Sequence, residues 1–243
     1  MDETSPQFTT LYDAMSTFVN TCMSGHDPSH NPAHVHRVVA LANKILASER
    51  ALHPTTPYSG AVVKLAALLH DIGDKKYLHS LASVLGSESD SQASTPASTL
   101  DPTTMVHHAL IKNGAPEDLA SRVQTIVSHV SYSTEIKDPA VIRRLIDEEG
   151  FIELAIVQDA DRLDAIGAVG IGRTFTFLGA QGKKFLVDGK WDMNNSIEHF
   201  GDKLELLEGM MKTGTGREMA RVRTERLKVF REWWEEEMEL VSS

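Results

Sequence analysis

The sequence predicts an all-α fold, and three observations carry that prediction. Apolar residues recur at three- and four-residue spacing in one segment after another. The two-residue alternation of half-buried strands is nearly absent. Helix-start signals, Asn31-Pro32 and Pro116-Glu117, stand where helical segments begin.

Residues 8–24 carry Phe8, Leu11, Met15, Phe18, Val19 and Cys22 at helical spacing, and Gly25 breaks the pattern. Asn31 is a candidate N-cap and Pro32 suits a first turn, where its missing N–H costs nothing. Val35, Val38, Val39, Ala42, Ile45 and Leu46 then form a stripe to about Arg50, and a Pro-rich loop follows at 53–59. Residues 60–72 make the next helix, closed near Gly73. Residues 86–103 are rich in Ser and Thr and lack an apolar face, so they read as a mobile surface loop. Helical patterns resume at 104–113 and 116–130, with a short helix at 139–149. Residues 151–179 read as one long apolar helix carrying acidic residues. Residues 180–194 form a loop or small hairpin, and two amphipathic helices, about 195–211 and 215–240, close the chain. There is no repeat, no Gly-rich phosphate loop and no linker between two cores, so 1–243 reads as a single domain.

The 243 residues are 41% hydrophobic and carry a formal net charge of −10. That acidic surplus argues against a groove for a nucleic-acid polymer. A small phosphorylated ligand needs only a few local Lys, Arg or metal charges. The lone cysteine, Cys22, has no internal disulfide partner and fits a reducing compartment. MDETSPQFTT shows neither a basic nor an apolar leader region, and the apolar run at 61–69 is interrupted by Lys64 and too short to span a membrane. The expectation is a cytoplasmic protein, with the nucleus as the alternative, and no membrane partner.

The chemistry concentrates in LAALLHDIGDKK, residues 65–76, where a buried helix ends on His70 and Asp71. Adjacent helical side chains point about 100° apart, so the two can flank one ion from neighbouring directions. Imidazole and carboxylate are ordinary ligands of divalent first-row metals, and both are costly to bury without a partner. A capped, hydrogen-bonded surface pair is the plainer reading. A second pair, His26-Asp27, lies in a Gly/Pro-rich stretch and reads as a decoy or a rim element. His34 and Arg37 share a helix face, while His36 points elsewhere. Asp161 and Asp164 also share a face, and Asp159 does not. Salt bridges with Arg162 and Arg173 explain that acidic cluster as readily as a metal does.

His34, His70-Asp71 and Asp161, in that order, resemble the H…HD…D signature of the HD-domain metal-dependent phosphohydrolase superfamily. HNPAHVHRVVALA, LAALLHDIGDKKY, VQDADRLDAIGAVGIGRTFTF, NSIEHFGDKLELLEGMMKTGTGREMA and RLKVFREWWEEE resemble, block for block, a subfamily of small bacterial HD nucleotide pyrophosphohydrolases. The similarity runs from about residue 20 to 240. It implies an HD-domain helical bundle with a metal-binding core at about 20–175 and C-terminal helices at 195–240 packed on it. It also implies that His34, His70, Asp71 and Asp161 hold one divalent ion: Mn, Mg or Ni, with Fe as a further option. Two imidazoles with two carboxylates favour a first-row ion over Ca²⁺.

The implied reaction is hydrolysis of a nucleotide or other small phosphorylated metabolite by a metal-activated water, foremost pyrophosphohydrolysis of a (d)NTP. Asp74 is the candidate general base or water-orienting carboxylate, with a plain turn residue as the alternative. Lys75 and Arg37 are candidate phosphate clamps, and His129 is a candidate substrate contact. Three other readings stay open. One is a nucleotide phosphomonoesterase. Another is a dinuclear iron oxygenase of the HD type, drawing on His107 or His108 and on His129. The third is a non-enzymatic sensor that keeps the metal. Met210, Met211, Trp233 and Trp234 read as core or interface, Glu235–Glu237 as a solvated face, and Lys183 and Lys184 as candidate residues of the site mouth. The two final helices are compatible with a homodimer.

Overall fold

A computed structural model describes residues 1–23, 27, 29, 31–72, 101, 103–182 and 192–242. Among the described residues every regular element is helical, as the spacing predicts. The stretch 86–103 falls largely outside them, as does most of 180–194.

The centre of the fold is α3 (Gly60–Leu69), buried at every position except Lys64. A helix apolar on all sides must be surrounded. Its neighbours are α1 (Pro6–Met23), α2 (Pro32–Leu52), α5 (Glu117–Val127) and α8 (Ile152–Asp164). Between α3 and α5 along the chain, α4 (Met105–Lys112) packs on α5. The side chain of Asn31 caps α2 by accepting from Ala33 N, and Pro32 occupies the first turn. Ser59 caps α3 by accepting from Val62 N at 3.3 Å. Two short helices, α6 (Tyr132–Lys137) and α7 (Pro139–Asp147), lead into α8. The first of these is not evident in the sequence spacing; Ser131 starts it by accepting from Thr134 N.

The long helix expected over 151–179 is two helices. α8 stops at Asp164, and α9 (Gly167–Gln181) begins after a break at Ala165 and Ile166. Gly167 makes the turn with φ +75°, a backbone region that side chains disfavour, and a Cβ there would sit 3.0 Å from Arg223 Cγ. The helix expected over 195–211 also divides. α10 (Asn194–His199) passes into a π-helical turn, Phe200–Leu204, and a 3₁₀ segment, Glu205–Met210. Aromatic contacts among Phe175, Phe200, Phe230 and Trp234 tie α9, the π turn and α11 (Gly214–Ser242) together.

Two buried carboxylates receive the start of α11. Asp159 accepts from Lys212 N, Thr213 N and Thr213 Oγ1, and Glu49 accepts from Thr215 N and Oγ1. Acids at that helix end satisfy its free N–H groups and oppose its dipole. Among the described residues no helix is long and apolar enough to cross a membrane.

Replacing Gly167 by Ala should lower unfolding stability by about 1–2 kcal/mol for the left-handed backbone alone, and further for the contact with Arg223. Gly150→Ala, at φ +73° with nothing within 4 Å, carries only the backbone cost. Urea titration of both variants checks the order; equal losses would contradict it.

Candidate metal centre

Three helices bring the predicted donors together. His34 lies in the first turn of α2, His70 caps the C-terminus of α3, and Asp161 projects from α8. The backbone at His70 stays right-handed helical (φ −57°, ψ −31°), so Asp71 continues the turn beside it.

The two imidazoles meet edge to face, with His34 Nε2 and His70 Nε2 3.2 Å apart. Asp71 Oδ2 lies 3.7 Å and Asp161 Oδ1 3.5 Å from His34 Nε2. His70 Nε2 is 3.7 Å from an oxygen of each carboxylate. One donor atom each from His34, His70 and Asp71 falls within 4.8 Å of the others, and Asp161 joins through its contacts to both rings. The imidazole side chains are 2% exposed, whereas Asp71 and Asp161 are 19% and 28% exposed, so the carboxylates line the mouth.

The far side of each ring fixes its tautomer. His70 Nδ1 is 2.8 Å from the Ala67 carbonyl, which only accepts, so Nδ1 carries the proton. His34 Nδ1 is 2.8 Å from Asp164 Oδ2. Burial alone would raise the Asp164 carboxyl, but hydrogen bonds from His34 and Arg37 and the charge of Arg173 hold it well below the usual carboxylate range. It stays ionised and accepts the His34 proton. Burial lowers the His34 pKa, outweighing the Asp164 hydrogen bond, so the ring is neutral. A neutral ring with its proton on Nδ1 presents Nε2 as a lone pair.

Two lone pairs and two carboxylates therefore face one small space. A proton on one Nε2 would satisfy a single contact; a divalent cation satisfies all four donors. Metal–donor bonds of about 2.0–2.2 Å place neighbouring donors about 3.0–3.5 Å apart, close to the spacing of the two rings and of Asp161. The residues present fit a divalent ion, and the partial exposure of the two carboxylates leaves that side of the space open to solvent.

Arg37, expected as a phosphate clamp, is placed differently. Its Nε and one terminal nitrogen form a fork on Asp164 at 2.7 and 3.0 Å. The guanidinium serves the carboxylate that orients His34. Arg173 reaches the same carboxylate from α9 at 2.9 Å, and its other donors hold the Ser29 carbonyl. Of the remaining histidines, His36 is exposed. His107 Nε2 contacts Glu117 at 2.8 Å, and its ring packs edge to face on His108. His129 Nδ1 donates to the Thr125 carbonyl at 2.7 Å. The close donor group among the described residues includes none of these four. Asp74, Lys75, His26, Lys183 and Lys184 lie outside the described residues.

Sequence reasoning gave Asp164 and Arg173 only as salt-bridge material, and it missed His199 and Lys203. These two, with Arg173, line a cleft of about 240 Å³. A larger open groove, about 730 Å³, runs between the 3₁₀ segment and α11, lined by Glu205, Glu208, Glu218, Arg217, Arg221 and Lys228. Its acids and bases balance, and it contains none of the donors.

The HD domain family model matches residues 33–166. The Bacillus subtilis (strain 168) protein YpgQ is 33% identical over 211 residues, covering 87% of this chain and 85% of its own. The crystal structure of Bacillus subtilis YpgQ in complex with ADP superposes with a TM-score of 0.63 at 29% identity, covering 93% of this chain and 97% of that one. An HD-superfamily hydrolase from Bacillus thuringiensis superposes with a TM-score of 0.63 at 25% identity, covering 96% and 98%.

Asp164→Asn should weaken divalent-metal binding about 10–100-fold, the usual effect of removing a carboxylate behind a ligating histidine. Calorimetric titration with Mn²⁺, alongside circular dichroism to verify folding, checks this. Unchanged affinity in a folded variant would contradict the role given to Asp164.

Proposed function

The chain belongs to the HD domain family, with the fold of an HD-superfamily hydrolase, and on that premise we propose that it is a metal-dependent nucleotide phosphohydrolase. The reaction proposed is pyrophosphohydrolysis of a nucleoside or deoxynucleoside triphosphate. The observation that carries this reading is the meeting of two buried Nε2 lone pairs, 3.2 Å apart, with the carboxylates of Asp71 and Asp161. The choice of a nucleotide draws support from the ADP bound to YpgQ.

In this reading His34, His70, Asp71 and Asp161 hold one divalent ion. When bound, such an ion supplies Lewis-acid polarisation of a phosphoryl oxygen and an acidified water. Mn²⁺ suits a mixed imidazole and carboxylate set, with Mg²⁺, Ni²⁺ and Fe²⁺ as the other options. Asp164 keeps the proton of His34 on Nδ1 and the ring aimed inward, and Arg37 and Arg173 hold Asp164 in place. Asp74 is proposed to orient the attacking water, with Lys75 supplying positive charge beside it; His129 is the remaining proposed substrate contact. Water oxygen bonds to the α phosphorus as its proton passes to Asp74 and on to solvent, the bridging bond to the β phosphate breaks, and pyrophosphate leaves with the bonding electron pair. A nucleoside monophosphate is the other product. Phosphomonoester hydrolysis would use the same groups, and the products separate the two reactions.

The test is product identification on a nucleotide panel. Purified protein should release pyrophosphate and monophosphate, lose turnover on chelation and regain it with Mn²⁺. Asp161→Asn should lower kcat by at least roughly 10²-fold, the usual loss when one electrostatic stabiliser is removed. Orthophosphate as the sole inorganic product would point to a phosphatase, and turnover indifferent to chelator would sink the metal mechanism.

A further inference from the structure

Beside the metal centre lies the cleft of about 240 Å³, lined by Ser29, Ala165, Arg173, Phe177, His199 and Lys203 among others. Two of its residues connect it with the donor set. Arg173 donates to Asp164 Oδ2 at 2.9 Å, and the charge of Lys203 interacts with that of Asp161.

The cleft gathers two cationic side chains, Arg173 and Lys203, each with a carboxylate of the site acting on it, Asp164 for the one and Asp161 for the other. Asp164 has one negative charge and two guanidinium partners, Arg37 and Arg173. Among the described residues no carboxylate forms an ion pair with Lys203; its ammonium lies 4.8 Å from the centre of the Tyr132 ring. Burial lowers the Lys203 pKa, the Asp161 charge opposes that, and Arg173 adds to it. His199 is also lowered, first by burial and then by the Lys203 charge, with the Asp202 charge opposing. Cations that share a partly desolvated space repel one another, and an anion between them relieves that repulsion.

The backbone is shaped around Lys203. It sits in the π-helical turn Phe200–Leu204, where Phe200 is fully buried and anchors the segment. A π turn shifts the register of the residues after it, and such turns cluster at functional sites. The cleft is smaller than the roughly 300–1,000 Å³ that encloses a drug-sized ligand. It suits one or two phosphate groups and not a whole nucleotide.

We propose that this cleft seats the phosphates distal to the scissile bond, with Lys203 and Arg173 as their contacts. The inference rests on the nucleotide reading above and deepens it: the β and γ phosphates occupy the cleft while the α phosphate faces the donor set. Substrates with two phosphates beyond the α position are selected, monophosphates lose this contact, and inorganic pyrophosphate binds the product subsite.

Calorimetric titration of the Mn²⁺-loaded protein with inorganic pyrophosphate tests this. Wild type should bind; Lys203→Met, which keeps the aliphatic stem over Tyr132, should bind at least about tenfold more weakly; Lys203→Arg should recover most of the loss. Mn²⁺ stoichiometry should be equal in all three, which separates a lost contact from a lost metal. Failure of wild type to bind pyrophosphate, or equal binding by Lys203→Met, overturns the proposal. If triphosphate hydrolysis persists in that event, the functional reading stands without this subsite. If pyrophosphate binding depends on Lys203 while no nucleotide is turned over, the subsite stands and the hydrolase reading fails.

Discussion

Two imidazoles aimed at each other through unprotonated nitrogens are the constraint on which the rest of this structure turns. His70 commits its Nδ1 proton to the Ala67 carbonyl, and His34 commits its own to Asp164. Neither ring can turn its donor toward the other without giving up a buried hydrogen bond. The lone pairs that result are 3.2 Å apart, with carboxylates on both sides. In a space closed to water on the imidazole side, that concentration of electron density is strongly unfavourable unless a cation occupies it. A fold that holds the arrangement rigidly has stored an affinity for positive charge.

The rigidity comes mainly from α8. Successive helical residues turn by about 100°, so Asp161 and Asp164 lie on one face and Asp159 lies nearly opposite. Asp161 meets the imidazoles, Asp164 grips His34 and two arginines, and Asp159 receives the start of α11. The polar residues between them are also engaged. Gln158 donates to the His129 carbonyl, and Arg162 pairs with Glu135 and with the Met210 carbonyl. Each buried polar group on this helix thus anchors a different neighbour, and the orientation of Asp161 is over-determined. Lys212 joins the same network by pairing with Glu135, which fastens the chain before α11 to α6.

Much of this was legible in the chain. Helical spacing gave α1 to α3 with bounds close to those observed, because their stripes are continuous and their caps are ordinary. The change from Leu69 to His70-Asp71 marked the end of the central helix. The shared face of Asp161 and Asp164 was visible from their spacing, although spacing did not say which acid meets a cation of the chain. Asp164 takes the arginines, and Asp161 faces the imidazoles. Arg37 shows the limit of such reasoning: its position beside His34 was plain, but a guanidinium suits a carboxylate of its own protein as well as it suits a phosphate. The break before α9 was hidden because Ala165 and Ile166 fit a helix, and only the left-handed backbone at Gly167 and the approach of Arg223 require the turn. Lys203 was hidden because the register changes within its segment, from α-helix to π turn, and a constant 3.6-residue period places its side chain wrongly.

Anomalous diffraction from crystals grown with Mn²⁺ is the most direct measurement. One strong peak at the manganese edge, within bonding distance of His34 Nε2, His70 Nε2 and oxygens of Asp71 and Asp161, is the predicted result. No peak at that position, or Mn²⁺ bound instead near His107 and His129, would contradict the convergence of these four side chains on a single ion.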